Sequence, residues 1–285
     1  DYVYWFSVTP NKNNIKLFAT PFDVSEDLKE NLLSKLNKMV FTSATLAVEG
    51  KFDYFMKSMG FDKNDKQLSK HLISSPFDYM NQMRVFIPSD TIDPNSIDFI
   101  AETEVFIDKL IRKTKGHCFL LFTSYSMLNY LYNKLEKYYN KKDYTLLKQG
   151  DYSRNEMIEI FRNAKNPILF GTDSFWEGVD VQGEQLKSVI IVKLPFKVPD
   201  DPVTEAIIEH IRENKGNPFN EFQVPQAVIK FKQGIGRLIR SKSDTGIITI
   251  LDNRVITKYY GRKFLNSLPK TNIIVDSKEN IIEII

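Results

Sequence analysis

Short runs of apolar and β-branched residues recur along this chain, and amphipathic stretches lie between them. The runs predict buried strands, whereas apolar residues spaced every three or four positions predict helices. Strands are predicted at residues 39–41, 118–122, 144–147, 168–170, 189–192, 247–251 and 273–275. Helices are predicted at residues 25–37, 97–112, 125–138, 153–161 and 203–213. This alternation predicts an α/β fold with a mostly parallel sheet covered by helices on both faces.

Two kinds of segment interrupt the alternation. The stretch from Gly60 to Pro94 has weak periodicity, which predicts an irregular connection. Pro and Gly cluster at residues 195–202 and 216–225, and these clusters predict loops that lead into a basic helix.

The N-terminal part of the chain predicts a domain boundary. The first strand–helix–strand unit ends at residues 43–46, which divides the chain into residues 1–46 and 47–285. The chain begins without Met in strand-like sequence, and its first residues lack the basic region and cleavage site of a signal peptide. We therefore expect a piece of a longer protein, and we do not expect these first residues to be a signal peptide.

Composition narrows the class of protein. The 285 residues are 42% hydrophobic and 26% charged, as in ordinary soluble globular proteins. No apolar run reaches about 18 residues, so we expect no membrane span. The single cysteine, Cys118, lies in an apolar run and predicts a core thiol in a reducing cytoplasm. The three histidines are scattered, so no metal site made by this chain alone is expected.

Positive charge is concentrated in one segment. The net charge of +3 is too small to indicate nucleic-acid binding by itself. Residues 230–242, however, contain five basic side chains and no acidic one. Any anion-binding surface is therefore expected near this segment.

Within that segment, Gln233, Arg237 and Arg240 are spaced to share one face of an α-helix. Gly234 and Gly236 would weaken such a helix by about 1 kcal/mol each, which is useful only where a backbone or a phosphate comes close. Two guanidiniums aimed at one point suit an anion such as a transferring phosphoryl group. We expect their tips to emerge side by side. A solvated basic helix face is the alternative for this segment alone.

Small hydroxyl residues follow three of the predicted strands. They occur at residues 42–45, at Thr123 and Ser124, and at Thr172. Ligands of parallel α/β sheets lie at the carboxyl ends of the strands, where such side chains can bind phosphate oxygens. Each cluster alone is better explained as a helix N-cap. Together with the arginine segment, they favour a surface that handles a nucleotide or a nucleic-acid backbone.

Three segments carry a resemblance to a known family. Residues 43–46, 171–180 and 233–240 resemble motifs III, V and VI of superfamily 2 helicases, in the same order and spacing. The finer signature resembles the DinG branch of the XPD-like helicases, and is carried by residues 175–180, 194–196, Pro199, 201–202, 217–219, 225–227 and 232–234. The resemblance covers nearly all of residues 38–255.

This resemblance implies an ATP-dependent motor of two RecA-like lobes, with ATP between the lobes and single-stranded DNA across them. The chain would be the second lobe, preceded by the last strands of the first. The residues implied at the ATP γ-phosphate are Arg237, Arg240 and Gln233. The residues implied near the nucleotide are Glu177, Gly178, Asp180 and Gly236, and the two acids are expected to link nucleotide state to DNA grip.

The resemblance also implies DNA contacts. The candidates are Thr45, Thr123, Ser124, Thr172 and Trp176. Trp176 could stack on a base or pack against a neighbouring loop, and both alternatives stay open. The implied partners are single-stranded DNA and the N-terminal part of the same polypeptide.

The chain departs from the family in one large respect. The sequence contains no Gly-x-x-x-x-Gly-Lys-[Ser/Thr] loop and no Asp-Glu-x-His box. A motor needs the first to cradle phosphates and the second to hold Mg²⁺. We therefore expect ATP and Mg²⁺ to be bound mainly by a missing first lobe. The isolated chain is expected to bind ATP weakly at most and not to hydrolyse it.

Two alternatives to the helicase motor remain. Some DinG relatives carry an N-terminal 3′→5′ exonuclease domain, so the region could serve a nuclease as a DNA-binding or nucleotide-responsive platform. It could also be a non-catalytic module that only binds single-stranded nucleic acid.

Overall fold

The computed structural model describes residues 2–9, 14–62, 67–139, 143–178, 181 and 183–285, and only the backbone of Glu184. Within these residues the strands are β1 (Tyr2–Thr9), β2 (Asn14–Pro21), β3 (Met83–Pro88), β4 (Cys118–Leu121), β5 (Thr145–Lys148), β6 (Pro167–Gly171), β7 (Ser188–Ile191), β8 (Gly246–Ile250) and β9 (Asn272–Asp276). The α-helices are α1 (Ser25–Asn31), α2 (Asp53–Ser58), α3 (Tyr79–Gln82), α4 (Phe99–Thr114), α5 (Tyr125–Tyr139), α6 (Arg154–Asn163), α7 (Asp173–Trp176), α8 (Pro202–Glu213), α9 (Val224–Ile235), α10 (Arg254–Thr257), α11 (Gly261–Ser267) and α12 (Lys278–Ile284). A π-helix at Phe219–Gln223 leads into α9.

The chain divides into two compact units. Unit 1 comprises Asp1–Ile73 and Phe196–Ala227, and unit 2 comprises Ser74–Pro195 and Val228–Ile285. The boundary predicted after residue 46 lies inside unit 1, and the assignment of residues 1–46 to a separate lobe stays a prediction.

Unit 2 contains a seven-stranded sheet with the order β5-β6-β4-β7-β8-β3-β9. Every neighbouring pair in it is parallel. The central strands β4, β6 and β7 are completely buried, as expected for apolar strands covered by helices on both faces. The predicted α/β fold is confirmed.

The register of the central strands brings their carboxyl ends to one edge. Leu121 of β4 pairs with Gly171 of β6 and with Ile191 of β7. The residues that follow these strands therefore lie along the same edge of the sheet, where parallel α/β folds bind their ligands. We call this the carboxyl edge.

Helix α5 begins at the carboxyl edge and packs along the sheet. Its residues Leu128, Leu131 and Leu135 belong to the same buried core as Leu120 and Phe170 of the strands. The apolar spacing that predicted this helix therefore marks its buried face.

Unit 1 contains a hairpin and short helices. Strands β1 and β2 are antiparallel, with Tyr2 opposite Pro21 and Thr9 opposite Asn14. Asp201 caps α8 by accepting a hydrogen bond from the backbone N–H of Thr204 at 2.9 Å.

Two predictions of secondary structure in the first 94 residues were wrong. The apolar triplet at 39–41 forms no strand in the structure, which has neither strand nor helix among residues 36–47. Phe41 instead packs against Phe55 and Phe61, with ring centroids 5.4 and 5.7 Å apart, while Val40 is exposed. Conversely, the stretch predicted to be irregular contains β3, a short buried run that has no periodicity to reveal it.

Candidate functional site

Helix α9 ends earlier than predicted. Its last residue is Ile235, so Arg237 lies in the turn that follows and Arg240 lies beyond that turn. The prediction that Gln233, Arg237 and Arg240 share one helix face is therefore wrong. The turn is closed by the Leu238 N–H, which donates to the Ile235 carbonyl at 3.2 Å.

Gly234 is required by close packing. A Cβ there would lie 2.8 Å from Cε3 of Trp176 and 3.2 Å from Cδ1 of Leu121. The helix backbone thus rests directly on the indole ring, and no phosphate is needed to explain this glycine. Gly236 is exposed at the helix end.

A buried carboxylate holds the backbone at Arg240. Oδ2 of Asp244 accepts from the N–H groups of Arg240 and Ser241 at 2.7 and 2.8 Å, and Oδ1 accepts from the Ser241 hydroxyl at 2.7 Å. Nε2 of Gln82 donates to the carbonyls of Ser241 and Asp244, each at 2.8 Å. Burial alone would raise the pKa of Asp244, but these hydrogen bonds and the nearby Arg240 lower it. We call residues 240–244 the arginine loop.

Arg237 is buried. The residue is only 2% exposed, and its Nη1 donates to the Phe175 carbonyl. Its Nη2 is buried and has no hydrogen-bond partner among the described residues. The expectation that both tips emerge at the surface is therefore wrong for Arg237, while Arg240 is half-buried.

The surroundings of Arg237 disfavour its positive charge. Burial, together with the neighbouring charges of Arg240 and Arg154, lowers its pKa to about 9, although the charge of Glu177 opposes them. The group is still protonated at neutral pH, and the effect of the Arg240 charge on it indicates that Arg240 lies nearby. Gln233 is half-buried, and its Oε1 also has no partner among the described residues. The Arg237 Nη2 is a buried donor without a partner, which an incoming anion would satisfy, whereas the Gln233 Oε1 is an acceptor and would not bind an anion.

The segment after β6 carries two of the predicted DNA contacts, and both lie inside the fold. Thr172 is 4% exposed, and its N–H and hydroxyl both donate to Oε1 of Gln149, at 2.6 and 3.0 Å. Trp176 is completely buried and donates from Nε1 to the Phe122 carbonyl at 2.9 Å. The ring packs in the core, so base stacking by Trp176 was the wrong alternative.

The next residues connect this segment to its surroundings. The carbonyl of Glu177, whose side chain is exposed, accepts from Nη2 of Arg154. Gly178 has a φ of +59°, a conformation that favours glycine, and a Cβ there would also meet the guanidinium of Arg154. Asp180 lies outside the described residues. An ion pair between Lys230 and Asp173 joins α9 to α7.

The remaining predicted DNA contacts fall in different units. Thr123 and Ser124 are half-buried directly after β4 at the carboxyl edge, and the Ser124 hydroxyl lies 3.2 Å from that of Ser126. Thr45 belongs to unit 1, where its hydroxyl lies 3.1 Å from that of Ser43.

Three polar residues of the site were missed from the sequence: Gln82, Gln149 and Asp244. Gln149 lies two residues after the predicted strand at 144–147, so its place at the carboxyl edge could have been found. Gln82 and Asp244 act on loop backbone, and no local pattern signals such contacts.

Metal-binding and membrane-spanning features are absent from the described residues. No group of three or more His, Cys, Asp or Glu residues there could hold a metal ion. No helix in the same part of the chain is long and apolar enough to cross a bilayer. Cys118 is buried, which raises the pKa of its thiol and removes its reactivity.

Comparison with known proteins gives the family. The helicase C-terminal domain family matches residues 107–271. The chain is 38% identical over 272 residues to the ATP-dependent DNA helicase YoaA of Haemophilus influenzae and 36% identical over 280 residues to the 3′-5′ exonuclease DinG of Bacillus subtilis. These alignments cover 95% and 96% of this chain but only 41% and 30% of the two relatives.

Comparison with solved structures gives the fold. A structure of an XPD helicase matches with a TM-score of 0.64 over 91% of this chain and 46% of the other, at 19% identity. The seven-stranded sheet is therefore that of a RecA-like helicase lobe. The chain belongs to the helicase C-terminal domain family, and within it to the DinG type.

Proposed function

We propose that this chain is the C-terminal motor lobe of a DinG-type ATP-dependent DNA helicase. The proposal is supported by the family and by relatives named as ATP-dependent DNA helicases. In the full-length protein, ATP and Mg²⁺ are held mainly by a first lobe, whose last part is residues 1–46. The chain alone does not hydrolyse ATP, because its sequence contains no phosphate loop.

One observation carries the proposal: Arg237 is a buried, protonated guanidinium with an unsatisfied Nη2, next to Arg240. Burying such a charge is unfavourable for folding, so its presence supports a role in binding an anion. We expect Arg240, on the arginine loop, to contact the γ-phosphate, and Arg237 and Gln233 to act together with it.

The chemistry is electrostatic. As the γ-phosphoryl group passes to water, negative charge spreads over its oxygens and the leaving β-phosphate oxygen. Guanidiniums that are already oriented stabilise that charge without reorganising. Asp244 and Gln82 provide this orientation by fixing the backbone of the arginine loop.

The DNA track is proposed along the carboxyl edge. Thr123 and Ser124 contact the phosphate backbone there. Thr45 is proposed separately as a DNA contact of unit 1. Thr172 acts indirectly, because Gln149 occupies its hydroxyl. Helix α7 joins this edge to Arg237 through the Phe175 carbonyl. This connection supports the proposal that Glu177, directly after α7, links nucleotide state to DNA grip, and we propose the same role for Asp180.

Arginine variants of the full-length protein test the proposal. Arg237→Ala and Arg240→Ala should each lower DNA-stimulated ATP turnover by about a thousandfold, the scale of an arginine finger. Single-stranded DNA affinity should stay close to wild type. Arg262→Ala, an exposed arginine of α11, is the matched control. Undiminished turnover in both variants would show that the assignment is wrong.

A second candidate function is supported by the Bacillus subtilis relative, which is named a 3′-5′ exonuclease. The region would then be a DNA-binding or nucleotide-responsive platform for a nuclease. Full-length protein that degrades DNA but does not turn over ATP would favour this candidate.

A further inference from the structure

Gln149 connects three segments at the carboxyl edge. Its Oε1 accepts from both the N–H and the hydroxyl of Thr172, and its Nε2 donates to the phenol oxygen of Tyr125 at 2.5 Å. Its own N–H donates to the Phe170 carbonyl at 2.9 Å. The amide is therefore oriented by the backbone N–H of Thr172, which directs Nε2 to Tyr125.

The hydroxyl of Tyr125 is hydrogen-bonded, whereas its ring is exposed to solvent. The residue is 53% exposed, although its hydroxyl is engaged by Gln149. It directly follows Thr123 and Ser124. An exposed aromatic ring fixed in this way has already lost part of its conformational freedom, so less entropy is lost when a flat ligand packs on it.

Other exposed tyrosines of α5 differ in ways that matter. Tyr130 has the Lys134 ammonium 5.5 Å from its ring centroid, so one face is partly occupied. Tyr138 is 58% exposed but lies about 20 Å farther along the helix, away from the hydroxyl residues of the edge. Tyr125 combines exposure, a fixed position and a place on the proposed track.

We propose that the ring of Tyr125 stacks on a nucleobase of single-stranded DNA, and that Gln149 is the positioning residue that holds it. The inference rests on the proposed function and deepens it. Thr123 and Ser124 contact phosphates, whereas Tyr125 contacts the base of a neighbouring nucleotide. Aromatic rings serve single-strand binding in this way because every base has a π-face, so the contact needs no sequence.

The test separates base contacts from backbone contacts. Binding of the full-length protein is measured on a fluorescent oligo(dT) and on an abasic deoxyribose-phosphate oligomer of equal length. Tyr125→Ala should weaken oligo(dT) binding by about tenfold, as expected for loss of one stacked base, and leave abasic binding unchanged. Tyr125→Phe keeps the ring but loses the hydrogen bond from Gln149, so its oligo(dT) affinity should lie between those of wild type and Tyr125→Ala. Tyr138→Ala is the matched control and should bind both oligomers as wild type does.

Each other outcome contradicts the inference in a recognisable way. Equal weakening on both oligomers would mean that Tyr125 supports backbone contacts or the local fold. Unchanged oligo(dT) binding by Tyr125→Ala, with normal wild-type binding, would overturn the stacking role and leave the proposed function intact. Failure of the wild-type protein to bind oligo(dT) would overturn both.

Discussion

Arg237 carries a positive charge into a part of the fold where the charges of Arg240 and Arg154 oppose it. The sequence predicted an anion-binding role for this residue from its spacing to Arg240. It could not predict its burial, because that prediction assumed a helix that continued past residue 235. The burial of Trp176 could not be predicted from the sequence either, because a tryptophan can stack on a base or pack in a core equally well. Its packing against Gly234 in the folded structure decides between the two.

The charge on Arg237 should therefore reduce stability. Arg237→Met removes the buried charge and keeps most of the side-chain volume, so the free energy of unfolding should rise by about 1 kcal/mol. Urea denaturation of wild type and variant measures this difference. Arg262→Met, at an exposed position, should leave stability almost unchanged. A marked loss of stability in Arg237→Met would mean that its hydrogen bond to Phe175 outweighs the cost of the charge.

At the scale of elements, strands of the central sheet could be predicted because they are buried on both faces and read as continuous apolar runs. The residues after β4, β5 and β6 could thus be placed at one edge. The ends of elements could not be predicted in the same way. Helix α9 ends at Ile235, and in the loop that follows, Asp244 accepts from the backbone N–H groups of Arg240 and Ser241. This contact forms only when the loop adopts its folded conformation, so the periodicity of the sequence cannot predict it.

Helix α8 allows a pH-dependent test at this scale. Although burial alone would raise it, hydrogen bonds from Lys197 and Thr204 lower the pKa of Asp201 from 3.8 to about 2. Its contribution to stability should therefore be complete above about pH 4 and disappear as the pH falls through 2. Because the Asp201 side chain is partly exposed, its ion pair with Lys197 should contribute little to stability. Its cap of α8 should contribute most of the effect, about 1 kcal/mol of the free energy of unfolding.

Asp201→Ala measures this contribution. Denaturation at pH 7 should show the loss, and the difference from wild type should shrink towards pH 2. Asp200→Ala alters the neighbouring exposed aspartate and should have little effect at either pH. An Asp201→Ala difference that does not change with pH would contradict the assigned cause.

At the scale of the whole molecule, the chain is less than half as long as the relatives it matches. The family could be predicted from ordered motifs spread along the chain, since their spacing is a property of sequence. Division into two compact units could not, because residues 196–227 join unit 1 through contacts distant in sequence. The proposed motor depends on an upstream lobe that supplies the phosphate loop, so its chemistry must be measured in the full-length protein.

The most direct test is the affinity for a transition-state mimic. ADP with aluminium fluoride, whose metal fluoride stands for the transferring γ-phosphoryl group, is compared with ADP alone in the presence of single-stranded DNA. Wild-type full-length protein should bind the mimic at least about a hundredfold more tightly than ADP. Arg240→Ala should lose most of that preference with its ADP affinity unchanged, while Arg262→Ala keeps it. An Arg240→Ala variant that retains the full preference would contradict the claim that these arginines stabilise charge on the γ-phosphate.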